Sequence, residues 1–197
     1  MLERLTEFGN AAVLSLLALF VALWLAHAGS RRAALAWLVG LLACVGTIAL
    51  LKGYFLACPL PGWALRSPSG HAGFSLFVYG GITLCAARDG AAWRRGLLTL
   101  LGSAAVAAIA WSRYALGAHT PIEIVFGLLI GGAALATFAA LRGAAGARRF
   151  PYLAAALLAL AIAATLHLLD WHPSFEGWLR EFGRRFATGL PFCTRAS

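Results

Sequence analysis

The stretch RSPSGHAGFSLFVYGGITLCAA, residues 66–87, decides the reading of the chain. From Gly70 it is apolar almost throughout, yet Arg, two Ser, Gly and His crowd its entrance. Ala72–Ala87 shows no strict alternation of apolar and polar residues, which argues against a strand with one wet face. A buried helix with a polar mouth fits better. The rest of the chain repeats this pattern.

Of 197 residues, 61% are hydrophobic and 12% charged. A soluble domain carries about 25% charged residues, so too little polar surface is present here to cover a water-facing globule. The composition predicts an integral membrane protein, all-α and of one domain. Its six apolar segments run about Asn10–Ala28, Ala33–Leu51, Gly70–Ala87, Gly96–Leu116, Pro121–Leu141 and Tyr152–Leu169. Each is near the roughly 20 residues that a bilayer-crossing helix needs. Ala26-His27-Ala28 looks like a signal-peptide cleavage site, but the leading MLERLTE has no clearly positive region. The first segment is expected to stay as a span.

The net charge is +9. The cations cluster between apolar runs, with no basic stripe carrying interleaved aromatics, so nucleic acid is not an expected partner. Three connections hold Arg31 and Arg32; Arg88, Arg94 and Arg95; and Arg142, Arg148 and Arg149. By the positive-inside rule that side faces the cytoplasm. The other side is expected to carry Lys52 and Arg66, with Arg113 near a helix end, and to face outward. Cys58 and Cys193 fall on that outer side, where oxidation is permitted, and are expected to pair. Cys44 and Cys85 read as small core residues.

Two polar islands share the outer side. In the first, Ser67 and Pro68 read as the N-cap and first residue of a helix. Ser69, Gly70 and His71 then lie in a first turn whose backbone N–H groups favour an anion. The second is SRYALGAHTPIE, residues 112–123. Thr120, Pro121 and Glu123 match a capping box, so Glu123 has a structural role available to it. His119 stands just before that cap, and Ser112 and Arg113 end the preceding helix. Ionisable side chains at span ends inside a bundle point to a functional site.

These residues resemble the type 2 phosphatidic acid phosphatase (PAP2) superfamily. Its signature is K-x6-R-P, then P-S-G-H, then S-R-x5-H-x3-D. Pro68-Ser69-Gly70-His71 matches the second block, and Ser112-Arg113, His119 and Glu123 match the third, with Glu for the final Asp. The resemblance spans about Lys52–Leu141. It implies a six-helix membrane phosphatase using a phosphohistidine and no cofactor or metal. His119 would be the nucleophile, Glu123 would orient it, and His71 would be the acid and then the base. Lys52, Ser69, Gly70, Ser112 and Arg113 would hold the phosphate. The first block departs: counting from Lys52, Arg-Pro is replaced by Pro59-Leu60. Arg66, beside the second block, is expected to stand in for the missing guanidinium.

The resemblance further implies a lipid phosphate or pyrophosphate as substrate, with undecaprenyl pyrophosphate first, in a bacterial inner membrane with the site facing the periplasm. A phosphotransferase would use the same residues, and a non-catalytic lipid transporter would keep the bundle without turnover. His27, His167 and His172 have no partner pattern and read as structural. In the tail, residues 170–197, Phe175, Trp178, Leu179 and Phe182 recur as on an amphipathic helix lying on the outer leaflet.

Overall fold

In hydrocarbon a backbone N–H finds no water, so each apolar run must satisfy its own hydrogen bonds by coiling. The computed structural model describes residues 2–28, 30–58, 65–86, 91–143, 150–169 and 181, and among these it shows helices and no strands. Each of the six apolar runs is one helix: α2 (Ala11–His27), α3 (Arg31–Ala57), α4 (Gly70–Ala86), α5 (Ala92–Ala115), α6 (Pro121–Leu141) and α7 (Tyr152–Leu168). A further short helix, α1 (Leu2–Glu7), precedes them. It lies ahead of the first expected segment, where no helix is expected from the sequence.

Among the described residues, four stretches are long and apolar enough to cross a membrane: Leu2–His27, Arg31–Leu56, Ala92–Ala115 and Pro121–Leu141. Helices α4 and α7, with 17 residues each, would span about 25 Å at 1.5 Å per residue. Outward-facing leucines cover the bundle, with Leu23, Leu42, Leu100, Leu129 and Leu157 all exposed. So much contiguous apolar surface requires lipid rather than water around it. Trp93 and Trp111 are exposed near opposite ends of α5, about 27 Å apart along the axis. That separation approaches the thickness of a bilayer core, and aromatic side chains favour its two boundaries.

Helix α4 is central and packs chiefly on α5 and α6. Its contact with α6 is backbone against backbone. A Cβ on Gly127 would stand 2.3 Å from the Ser69 carbonyl oxygen, and one on Gly131 would stand 2.1 Å from that of Gly73. Small residues permit such an approach between membrane helices, where packing rather than water exclusion drives association. Deeper in the bundle, Trp37 is fully buried and donates its indole N–H to the Ala18 carbonyl at 2.9 Å. Its ring stacks on Phe77 at 4.6 Å and meets the Phe138 ring edge-on at 5.2 Å.

The bundle has two chemically different ends. At one, Arg32 Nε donates to the Leu141 carbonyl at 2.8 Å, and Arg142 Nη1 donates to that of Leu84 at 3.1 Å. These arginines satisfy carbonyls left open at the ends of α6 and α4. The opposite end gathers the C-termini of α3 and α5, the N-termini of α4 and α6, and both polar islands.

Two expected boundaries need correction. Helix α3 runs on past Leu51 to Ala57, so Lys52 lies within a helix and not in a connection. The apolar Tyr54–Ala57 continues the pattern, and the helix stops where Cys58 precedes Pro59. A residue before proline is pushed out of the helical region, and Cys58 has φ −128° and ψ 73°. Helix α4 begins at Gly70, so Ser67 and Pro68 are outside it. Backbone hydrogen bonds to α6, described below, hold residues 66–69 away from helical geometry. Residues 59–64 and the tail, apart from Glu181, lie outside the described residues. With them lie Pro59-Leu60, Arg88, Arg148, Arg149, His172, Cys193 and the amphipathic pattern at 175–182.

Gly127→Ala is expected to force α4 and α6 apart, because the clashing atom is a backbone oxygen that cannot swing away. Thermal unfolding in detergent should show a loss of about 1–3 kcal/mol, with Gly132→Ala, whose nearest neighbour is a Leu76 methyl at 3.7 Å, close to the parent.

Candidate active site

The turn after α5 brings the third block together. Gly117 has φ +65°, a left-handed conformation open to glycine at little cost. The Gly117 N–H donates to the Tyr114 carbonyl at 2.9 Å, and Ala118 N–H donates to that of Arg113 at 3.0 Å. This pair of bonds is a Schellman motif. It reverses the chain so that the His119 N–H also reaches the Arg113 carbonyl, at 3.2 Å. The six-residue spacing of Arg113 and His119 thus follows from one glycine-closed helix end.

Helix α6 starts immediately afterwards with the expected capping box. Thr120 N–H donates to Glu123 Oε2 at 3.0 Å, and the reciprocal bond from the Glu123 N–H to Thr120 Oγ1 is long at 3.5 Å. The same Oε2 meets His119 Nδ1 at 3.0 Å. A carboxylate only accepts, so Nδ1 carries the hydrogen and Nε2 keeps a free lone pair. Both side chains are nearly enclosed, His119 at 6% and Glu123 at 5% exposure.

The other carboxylate oxygen reaches the first island. Glu123 Oε1 accepts from Arg66 N–H at 2.7 Å and from Ser67 N–H at 2.9 Å. Next along, the Ser69 N–H donates to the Glu123 backbone carbonyl at 2.9 Å. One glutamate therefore orients His119 and pins residues 66–69, which is why those residues do not coil. Its two functions, cap and orienter, coexist because the carboxylate has two oxygens.

Pro68 and Ser69 are buried beneath this clamp. Ser69 takes the capping place expected of Ser67: its carbonyl accepts from Gly73 N–H at 3.1 Å, with a long contact from Ala72 N–H to its Oγ at 3.5 Å. Gly70 and His71 open α4, where a helix has no carbonyls of its own to meet its N–H groups. At Gly70 a Cβ would have only Ile48 Cγ2 nearby, at 3.7 Å. Packing does not demand glycine there, whereas close approach of an anion would. The charges of Arg113, His119 and Lys52 all act on the His71 imidazole, so both blocks and the lysine of α3 converge on one region.

Burial holds the His119 imidazole below its ordinary pKa, overcoming the opposing pull of Glu123; Lys52 and Arg113 depress it further. The ring is therefore neutral, and able to attack, at neutral pH. Ser112 is buried and spends its hydroxyl hydrogen on the Ile109 carbonyl at 2.7 Å. The Arg66 side chain is exposed; its backbone, not its guanidinium, is what the structure ties to the site. Cys58 is buried and disulfide-bonded, while its expected partner Cys193 lies outside the described residues. Among the described residues no three His, Cys, Asp or Glu side chains group as metal ligands.

The sequence reading missed the N-terminal turn. Thr6 Oγ1 accepts from Arg113 Nη1 at 3.1 Å, and Gly9 lies against His71. No motif or local spacing links positions so far apart in the chain.

The fold and site define an all-helical membrane protein with paired histidines and cations gathered at one end of its bundle. The family model of the PAP2 superfamily matches residues 52–147. That match supports membership in the superfamily, whose members are generally phosphatases. No curated protein and no solved structure matches it.

Two outcomes test this geometry. Glu123→Asp withdraws the carboxylate by one methylene, so it cannot span both islands, and stability should fall by about 1.5–3 kcal/mol for a lost charged hydrogen bond. Thermal unfolding measures this. Histidine-selective NMR should place the His119 titration below pH 6.5, and Glu123→Gln, which removes the charge favouring protonation, should move it lower still.

Proposed function

We propose that this protein is a phosphatase of membrane lipids that works through a phosphohistidine. The observation that carries the reading is the Glu123 carboxylate, which sets His119 Nε2 free while fixing the start of α4 beside it. His119 Nε2 attacks phosphorus, forming an N–P bond as the bond to the lipid's leaving oxygen breaks. The bound phosphate's negative charge offsets the neighbouring cations, so that His71 takes up a proton from solvent and delivers it to that oxygen. Water then attacks the phosphohistidine, His71 accepts its proton, and inorganic phosphate leaves as the N–P bond breaks. Splitting the displacement into two steps is the advantage of a covalent intermediate.

Lys52, Arg113, Ser69 and the Gly70 amide hold the nonbridging oxygens, where fixed positive charge assists phosphoryl transfer. The site needs no metal or cofactor in this scheme. All six apolar helices cross the membrane, α4 and α7 included. The arginine-bearing end is cytoplasmic, and the site faces the periplasm of a bacterial inner membrane. The Cys58 disulfide supports that orientation, since disulfides persist on oxidising sides; Cys193 is its partner. The substrate is a lipid phosphate or pyrophosphate, and undecaprenyl pyrophosphate is the first candidate. A site at a bundle end surrounded by lipid-facing leucines suits an amphiphile whose head group stays at the boundary.

The test is phosphate release by purified protein in detergent with EDTA, from a panel of lipid phosphates and pyrophosphates. Turnover should persist in EDTA and fall at least about a hundredfold in His119→Ala and His71→Ala, the scale of general acid–base assistance. Gly70→Ala should lose activity while unfolding close to the parent's temperature. Release that vanishes in EDTA, or survives His119→Ala, would overturn the phosphohistidine scheme. A phosphorylated acceptor in place of free phosphate would make the protein a phosphotransferase.

A further inference from the structure

Arg113 is the guanidinium that the site retains from its family pattern in the third block. A guanidinium is useful to phosphate only when its planar fork is aimed, because its donors act in fixed directions. The side chain is long, and the helix that carries it ends two residues later at Ala115. Its aim must therefore be set from outside α5.

Helix α1 supplies that contact. It packs against α5 and α7, and Thr6 Oγ1 accepts a hydrogen bond from Arg113 Nη1 at 3.1 Å. The turn that follows is tied to α4 as well. The Tyr79 hydroxyl donates to the Phe8 carbonyl at 2.8 Å, two helical turns from His71. A Cβ on Gly9 would lie 2.6 Å from Ile109 Cγ2 and 3.1 Å from His71 Cδ2. Asn10 then accepts from the Ala12 N–H at 2.9 Å and starts α2. A short, anchored turn thus touches the phosphate-binding arginine at one point and the imidazole of His71 at another.

We propose that Thr6 is a positioning residue for Arg113, and that the turn Thr6–Asn10 is the wall against which the phosphate pocket is set. This inference rests on the phosphatase reading of the site. By accepting one Nη1 hydrogen, the Thr6 hydroxyl holds that edge of the guanidinium against α1 and limits its rotation. The site lacks the arginine of the family's first block, so the aim of Arg113 matters more here than where two guanidinium groups share the load.

The experiment uses the full chain in detergent and phosphate-free buffer, with inorganic phosphate as the probe. Affinity is read from the phosphate-induced rise in unfolding temperature, and KM and kcat from the lipid substrate that the panel ranks first. Thr6→Val keeps the shape and removes the acceptor; it should weaken phosphate binding about three- to tenfold and raise KM more than it lowers kcat. Thr6→Ser restores the hydroxyl and should return both to near the parent's. In an Arg113→Gln background Thr6→Val should add nothing, as expected for two residues that act as one unit.

Unchanged phosphate affinity in Thr6→Val overturns the proposal. So does equal weakening in Thr6→Val and Thr6→Ser, which would assign the effect to packing. If Arg113→Gln does not fold, the valine–serine comparison decides alone. A parent that neither binds phosphate nor hydrolyses any lipid phosphate overturns the phosphatase reading and this inference together. A parent that binds phosphate while Thr6→Val matches it overturns the inference only.

Discussion

The Glu123 carboxylate accepts hydrogen bonds from Arg66, Ser67, Thr120 and His119. Two of these donors precede α4 and two precede α6, so a single ionisable group joins the two polar islands across the bundle. A charge at such a depth is tolerable only when its lone pairs are met by donors, and here both oxygens are fully engaged. Remove the carboxylate and four N–H groups lose their acceptor at once, that of buried Ser67 among them. The clamp also explains why glutamate can stand where the family pattern has aspartate. The extra methylene lets the carboxylate lean toward residues 66–67 while it still caps α6.

Beneath the clamp, the glycines of α4 and α6 set the distance over which it works. The Ser69 carbonyl sits where a Gly127 side chain would be, and the Ser69 N–H reaches the Glu123 carbonyl from the same contact. Polar bonding at the bundle end and bare backbone contact within it are therefore one structural solution. The third support is the Gly117 turn, which returns His119 to the end of α5 so that imidazole and guanidinium share one mouth.

Much of this was legible in the sequence, for reasons that differ by residue. The six helices follow from apolar length, and Thr120-Pro121-x-Glu123 announced its capping box through local spacing alone. Gly117 lay within the quoted motif, though its role needed the backbone. The start of α4 was misjudged because Ser67-Pro68 carries a good local helix signal, and a long-range bond to Glu123 overrides it. Ser112 and Arg66 matched positions expected to hold phosphate. Yet the Ser112 hydroxyl serves the Ile109 carbonyl, and Arg66 serves the site through its backbone. Thr6 left no trace, since a hydrogen bond between residues 107 apart writes no period into either segment.

The order of synthesis gives the Glu123 clamp a further meaning. Residues 66–71 leave the ribosome well before His119 and Glu123, and Arg66, Ser67 and Ser69 reach the membrane before the acceptor of their amides has been made. His119 and Glu123 then arrive together in the few residues that open α6. Until that helix docks on α4, His71 stands without the imidazole and carboxylate that complete the cluster. The cluster of imidazoles, cations and carboxylate therefore forms only when α6 docks on α4, before α7 has been added.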